Sequence, residues 1–552
     1  MIETFPIDRK EQNATQARWL WVRRTLKRDL VLAIGLYLLA LGPRLAAACA
    51  RFVTSDELAW VYRATRFLTA LSTGDWAHTA QVGHPGVMTM WCGVAGILLR
   101  RLTAPKATAE HLAWLARLHW TSFDPFDGPA LKQLAFFLVA GRLPVAILTS
   151  LAVAGIFLLA RRLWGRRVAL VGAVFLALDP FPVGLSAVLH LDALTASFTT
   201  LSLLALLIGV TETGLFRWAV LSGTLAGLAM LTKSSAILLI PFVALTLGVV
   251  FLTQQKRHPE KAFRLGGAFF LWLAVAGLTF CALYPAMWVS PLGTLRDIFG
   301  TASRHAGSSV HPIFFWGRAT FDPGPFFYPV ALAFRTSPVI WLGVLAAFPP
   351  LLGRRFPDWA RGRRLSLLAL LCFAALFVVF MTPPTKKFDR YLVPVSYTHL
   401  RAHETRHDLV CRLLSAWRQR GVLVILTAAV VLQALVSLPY VPYFLAYENP
   451  LLGGPQVAAR VMSVGWGEGV DQAAAYLNNL EGAEDMCVVT GAIPHLAPLF
   501  AGETLPLDEA HLPLADYLVV SVGDMQIRPA EIETLLAGAE LVHTVRLGNL
   551  DY

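Results

Sequence analysis

The feature that most constrains this chain is the recurrence of apolar runs about 18 to 22 residues long, the length a helix needs to cross roughly 30 Å of hydrocarbon. Ten such runs can be read, at 30–50, 143–160, 168–186, 193–210, 217–232, 234–253, 265–285, 336–352, 365–381 and 421–438. The rest of the composition agrees. The 552 residues are 56% hydrophobic and 15% charged, with a mean hydropathy of +0.58, whereas a soluble globular protein carries about 25% charged residues. An all-α polytopic membrane protein is therefore expected. The net charge of +12 is not a nucleic-acid footprint, because Lys and Arg gather at the ends of apolar runs, where positive-inside bias puts them. The six cysteines (Cys49, Cys92, Cys281, Cys372, Cys411 and Cys487) show no paired spacing, so neither a disulfide framework nor a metal quartet is read from them.

Charge bias sets the expected topology. Arg23, Arg24, Lys27 and Arg28 place residues 1–29 in the cytoplasm and make the first run a retained anchor. The run 143–160 ends in Arg161, Arg162, Arg166 and Arg167, which should also be cytoplasmic. That is consistent only if the short apolar stretch 86–99 does not cross, so 51–140 is expected as one long external region with helices on the membrane surface. A second external loop is expected over 288–335. Further basic clusters, at Lys256, Arg257, Lys261 and Arg264 and again at Arg354, Arg355, Arg361, Arg363 and Arg364, fall on the inside by the same alternation.

The alternation breaks after residue 391, where a span is needed. The residues there include His399, Arg401, His403, Glu404, Arg406, His407 and Asp408, and each central charge costs roughly 2.5 to 3.5 kcal/mol in a membrane helix. The stretch 395–405 (VSYTHLRAHET) resembles the translation of a transposase-type sequencing adapter, and 409–414 (LVCRLL) fits that adapter's continuation. Residues 395–414 are thus read as foreign sequence in place of a native helix, and the histidines in them are not taken as a metal cluster. Beyond 441 the apolar runs shorten. Cys487–Thr490 and 517–522 read as strands, and 471–480 and 529–536 as helices. The expected domains are 1–29, a membrane domain at 30–440, and a small extracytoplasmic α/β domain at 441–552.

Ionisable residues gather in the outer loops rather than mid-span. Asp56 and Glu57 follow the first run in Phe52-Val-Thr-Ser-Asp-Glu-Leu-Ala-Trp. Adjacent acids on a helix cannot both face one pocket, so one acts while the other caps or orients; a solvated helix N-terminus is the alternative. His84-Pro85-Gly86 reads as a turn introducing the surface helix. His190 and Asp192 lie where one run gives way to the next, and Lys233 marks a two-span hairpin. Lys386, Lys387 and Arg390 form an external basic knot suited to phosphate. Arg304, His305 and His311 sit in the second outer loop, whose Asp322-Pro-Gly-Pro-Phe-Phe-Tyr reads as a rigid aromatic turn.

Taken in order, several of these motifs recur together: Asp-Glu after the first span, a His-Pro turn, Arg142-Leu-Pro opening the second span, Asp192 after the third, and Lys386-Lys-Phe-Asp-Arg-Tyr. The set resembles the protein O-mannosyltransferase superfamily and its bacterial relatives, including the aminoarabinose transferases, which are GT-C membrane glycosyltransferases. The resemblance covers most of 30–394 and returns at 443–469 (YFLAYENPLLGG…VGWGEG). His-Pro-Gly departs from the more usual Pro-Pro pair.

The resemblance implies a multi-pass plasma-membrane enzyme that moves a hexose or pentose, with inversion, from a polyprenyl-phosphate donor to a hydroxyl of a protein, lipid or glycan acceptor. It implies Asp56 as the catalytic acidic residue, taking the hydroxyl proton as base, with Glu57 beside it, and Lys386, Lys387 and Arg390 as the donor phosphate clamp. His84, Asp192 and Lys233 would be substrate or second acidic positions. No cofactor is required by such chemistry, and a divalent metal would fit only as a bridge between an acid and phosphate. The rival reading is a transporter or flippase for a lipid-linked glycan, which should carry ionisable residues mid-span and interrupted helices in related halves. A noncatalytic binder of lipid-linked sugar is a third. The sequence names neither sugar nor acceptor.

Overall fold

The computed structural model describes residues 9–118, 120, 122–254, 259–307, 312–342, 361–397 and 416–552. Most of the expected span 336–352 and of the adapter-like block, from residue 398 on, lies outside the described residues, as do the basic residues Arg354 and Arg355.

Helix α1 (Arg9–Ala48) leads into the segment 51–140. That segment holds α2 (Glu57–Thr73), α3 (Val87–Thr103), α4 (Pro105–Leu115) and α5 (Gly128–Ala135). Then come α6 (Leu138–Trp164), α7 (Arg166–Leu178), α8 (Pro180–Ser186), α9 (Asp192–Thr211), α10 (Leu215–Thr232), α11 (Leu239–Gln254) and α12 (Pro259–Leu283). Among the described residues six helices are long and apolar enough to cross a membrane, or up to eight if each of two bent pairs counts as one span. The expected run 168–186 is one of those pairs: the chain bends by 64° between α7 and α8. Asp179 is extended, at φ −70° and ψ 118°, in front of Pro180. A proline ring disfavours helical backbone at the residue before it, so the break belongs at this dipeptide.

The helices alternate between two ends. At one end Asp29 binds both Arg161 and Arg166, joining the start of the first span to the α6–α7 turn, and Arg162 pairs with Glu212 after α9. At the other end lie the start of α2, the N-terminus of α9 and the α10–α11 turn at Lys233. Positive charge collects at the first end and mixed charge at the second.

The C-terminal unit is a three-stranded parallel sheet with Cys487–Thr490 central between Glu503–Pro506 and Tyr517–Val519. Alternate side chains of the central strand point to opposite faces. Val488 packs with Ala474, Leu477, Leu496 and Phe500, and Val489 with Leu507, Ile532 and Leu535. A buried parallel sheet needs both faces covered, and the helices Val470–Asn478 and Pro529–Leu535 cover them. Both strands and both helices read from the sequence are present, within a few residues at their ends; the outer strand Glu503–Pro506 was not expected.

Candidate functional site

Helix α2 starts at the acidic pair and sends its two carboxylates in different directions. Glu57 is fully buried. Its oxygens receive Arg142 Nε at 2.7 Å and Nη2 at 2.6 Å, the Leu189 amide at 2.8 Å, and the Thr54 amide and hydroxyl, each at 3.1 Å. Arg142 also donates to the carbonyls of Ala50 and Phe52. This bidentate pair therefore fastens the loop before α2 to α6 and to the α8–α9 connection. A buried charge of this kind is tolerated because every lone pair is occupied.

Asp56 faces a cavity of about 1090 Å³. Arg390 Nη2 donates to its Oδ2 at 2.9 Å, and His190 Nε2 stands 3.3 Å from the same oxygen. Behind them His190 Nδ1 lies 3.1 Å from Asp192 Oδ2, and Lys233 Nζ donates to Asp192 Oδ1 at 2.5 Å. Arg390 Nε comes within 3.6 Å of Asp192. Burial pushes the Asp56 carboxyl up, but Arg390 and His190 outweigh it and hold the group well below the usual carboxylate range. Burial pushes His190 down, while Asp192 and Asp56 outweigh that and raise it above the ordinary imidazole value.

The cavity has two characters. Its polar end is lined by Asp56, Arg63, His190, Lys233, Lys386 and Arg390; its apolar end by side chains of α11, α12 and their neighbours, including Ile240, Leu273, Phe280 and Phe299. At the polar end, Arg63 and Lys386 make no ion pair among the described residues. Burial holds both below their ordinary values, and for Lys386 the neighbouring Arg390 adds to the effect. Such cations gain from an arriving anion.

The structure therefore brings Asp56, His84, Lys233, Lys386 and Arg390 to one cavity. His84 lines it with its ring 5.6 Å from that of Trp60. The turn holding His84 depends on Gly86, at φ +58°, where a Cβ would collide with the Trp60 ring. Asp192 sits behind the cavity wall and orients His190 and Lys233. Two expected residues are elsewhere. Glu57 is sealed in its pair with Arg142, and Lys387 is buried with its ammonium 2.9 Å from Asp322 Oδ1, outside the cavity lining. Arg304 donates to Thr301 at the surface and is not in the lining, and the His305 side chain and His311 lie outside the described residues. Arg63 was missed by the sequence reading, although it follows Asp56 by seven residues, two helical turns, and so shares its face. Among the described residues no group of three or more His, Cys, Asp or Glu side chains is placed to hold a metal. The histidines at 399, 403 and 407 lie outside them.

Residues 134–280, from α5 to α12, match the dolichyl-phosphate-mannose-protein mannosyltransferase family. No curated protein sequence matches the chain. Among solved structures it is similar to ArnT from Cupriavidus metallidurans bound to undecaprenyl phosphate, at 15% identity over 94% of this chain and 96% of that one, with a TM-score of 0.48. It is also similar to the oligosaccharyltransferase AglB from Archaeoglobus fulgidus in complex with an inhibitory peptide and a dolichol-phosphate. That likeness has 12% identity over 87% of this chain and 65% of that one, with a TM-score of 0.46.

Proposed function

We propose that the chain is a membrane glycosyltransferase that moves a sugar from a polyprenyl-phosphate donor to an acceptor hydroxyl at the outer face. One observation carries the reading: a single cavity is lined by a carboxylate, a surplus of cations and a set of apolar side chains from the neighbouring helices. A polyprenyl-phosphate sugar has that shape and charge. The family match over α5 to α12 supports it.

In this reading the donor phosphate binds Arg63, Lys386 and Arg390, with Lys233 at its edge, and the prenyl tail lies along α12 and the helix Pro291–Gly307. The acceptor oxygen attacks the anomeric carbon as the bond from that carbon to the phosphate oxygen breaks, so the configuration inverts. The electron pair leaves on phosphate, where fixed cations stabilise the growing charge. The hydroxyl proton passes to Asp56. In the donor-free geometry Asp56 is a poor base because Arg390 and His190 grip it. An arriving phosphate competes for Arg390, loosens that grip and raises the basicity of Asp56 when a base is needed. Lys387 instead ties the segment carrying Arg390 to Asp322, and the pair Glu57–Arg142 holds Asp56 in place. In this reading the basic end carrying Arg161 and Arg166 faces the cytoplasm, as positive-inside bias favours, with Asp56 and the C-terminal unit outside.

Release of free polyprenyl phosphate from polyprenyl-phosphate sugars by the purified full chain in proteoliposomes tests this. A flippase or a binder releases none.

A further inference from the structure

The C-terminal α/β unit reaches the reaction centre at two points. At the first, the backbone around Gly467 passes against the loop that carries Asp56. Gly467 has φ +98°, and a Cβ there would collide with both the His495 ring and the Val53 carbonyl oxygen. Across this close approach His495 Nδ1 donates to Val53 O at 2.6 Å, and Nε2 lies 3.3 Å from Ser55 Oγ. A carbonyl only accepts, so the proton is on Nδ1 and Nε2 accepts from the Ser55 hydroxyl. Burial, the largest influence on this ring, holds it below the ordinary imidazole value. One imidazole thus grips the residue just before Asp56 and another two positions further back.

At the second point the Trp466 ring lies 4.7 Å from the Arg390 guanidinium carbon, which is also 4.2 Å from the Phe388 ring. Contact through ring faces fixes a guanidinium while leaving its N–H edge for carboxylate or phosphate. The unit does not depend on these two residues for its attachment. Lys132 of α5 donates to the carbonyls of Ala501 and Gly502, and the amides of Phe314 and Trp316 donate to Ser463 Oγ and the Val461 carbonyl.

We propose that Trp466 and His495 are positioning residues for the transfer reaction: the C-terminal unit sets Arg390 for the phosphate through Trp466, and Asp56 for the acceptor hydroxyl through His495. This rests on the transferase reading above. It assigns the two residues different kinetic signatures, because one acts through the group that holds the donor and the other through the group that takes the proton.

The test uses the full chain in proteoliposomes, with undecaprenyl phosphate as the binding probe and polyprenyl phosphate release from native lipid extract as the turnover assay. His495→Phe keeps the ring and removes both hydrogen bonds. It should lower kcat by about thirtyfold, within the roughly 10²-fold range of a 1 Å misplacement, and leave affinity for the probe within about threefold. His495→Asn keeps a donor where Nδ1 stands and should recover most of the loss. Trp466→Leu should show the opposite split, with probe affinity about tenfold weaker, the loss of roughly 1.4 kcal/mol of binding. Asp56→Asn is measured alongside. If it transfers at the wild-type rate, the transferase reading itself fails. If it is inert while His495→Phe and Trp466→Leu both match wild type in kcat and affinity, the positioning role is overturned. Should His495→Phe not fold, Ser55→Ala removes one contact from the loop side; a lowered kcat supports the proposal and an unchanged one overturns it.

Discussion

Asp56 and Glu57 are neighbours in sequence, yet 44% of the Asp56 side chain is exposed and none of Glu57's is, so substitutions at the two should fail differently. Asp56→Asn keeps the size and hydrogen bonds but cannot take a proton. Transfer by folded protein should fall by about 10²- to 10⁴-fold, the usual worth of a general base. Glu57→Gln leaves Arg142 buried without its counter-charge. Removing one partner of a buried pair costs about 3 to 5 kcal/mol, so thermal denaturation in detergent should show a destabilised protein. Residue chemistry also fixes a pH dependence. His190 has a raised folded pKa, so its charged form contributes stability that is fully present below the ordinary 6.5 and lost as pH rises through the folded value. Melting temperature should therefore decline as pH rises above the ordinary imidazole value, and His190→Gln should flatten that slope. Asp56 has the opposite sign: its lowered pKa keeps the pair with Arg390 intact until pH falls below the usual carboxylate range.

At the scale of elements, the site depends on where helices start and how closely they approach. Gly86 opens α3 in a left-handed conformation beneath the Trp60 ring. Gly86→Ala adds a backbone penalty of about 1 to 2 kcal/mol and forces Trp60 aside, which should weaken undecaprenyl phosphate binding more than it slows turnover. Much at this scale was legible in the sequence. The apolar runs marked the membrane helices, and the alternation of short strands and helices after 470 marked the α/β unit. The bend at Asp179 was carried by a proline inside a run read as continuous. The split between Asp56 and Glu57 was also legible, because adjacent helical positions diverge by about 100°. Which of the pair faced inward was not, since that depends on Arg142, 85 residues away. Arg63 was legible by its spacing. Lys387 lies apart from the cavity lining because two adjacent lysines in an extended segment face opposite ways, and Asp322 binds this one. The contacts of His495 with Val53 and Ser55 span 442 and 440 residues of chain, and neither they nor the Trp466–Arg390 contact leaves a local signal.

For the molecule as a whole, the helices sort charge into a basic end and a reactive end, with the C-terminal unit seated on the latter. In a cysteine-free background, a single cysteine at the exposed Glu540 should react with an impermeant maleimide added to intact cells, and one at the exposed Arg28 only after permeabilisation. The apolar wall of the cavity, built largely from α12 and the helix Pro291–Gly307, has a further consequence. A donor whose tail lies along that wall arrives sideways through the bilayer, and its effective dose is a surface density. Diluting the donor with inert phospholipid at constant bulk amount should then slow the reaction, whereas enlarging the aqueous volume around the same vesicles should leave the rate untouched.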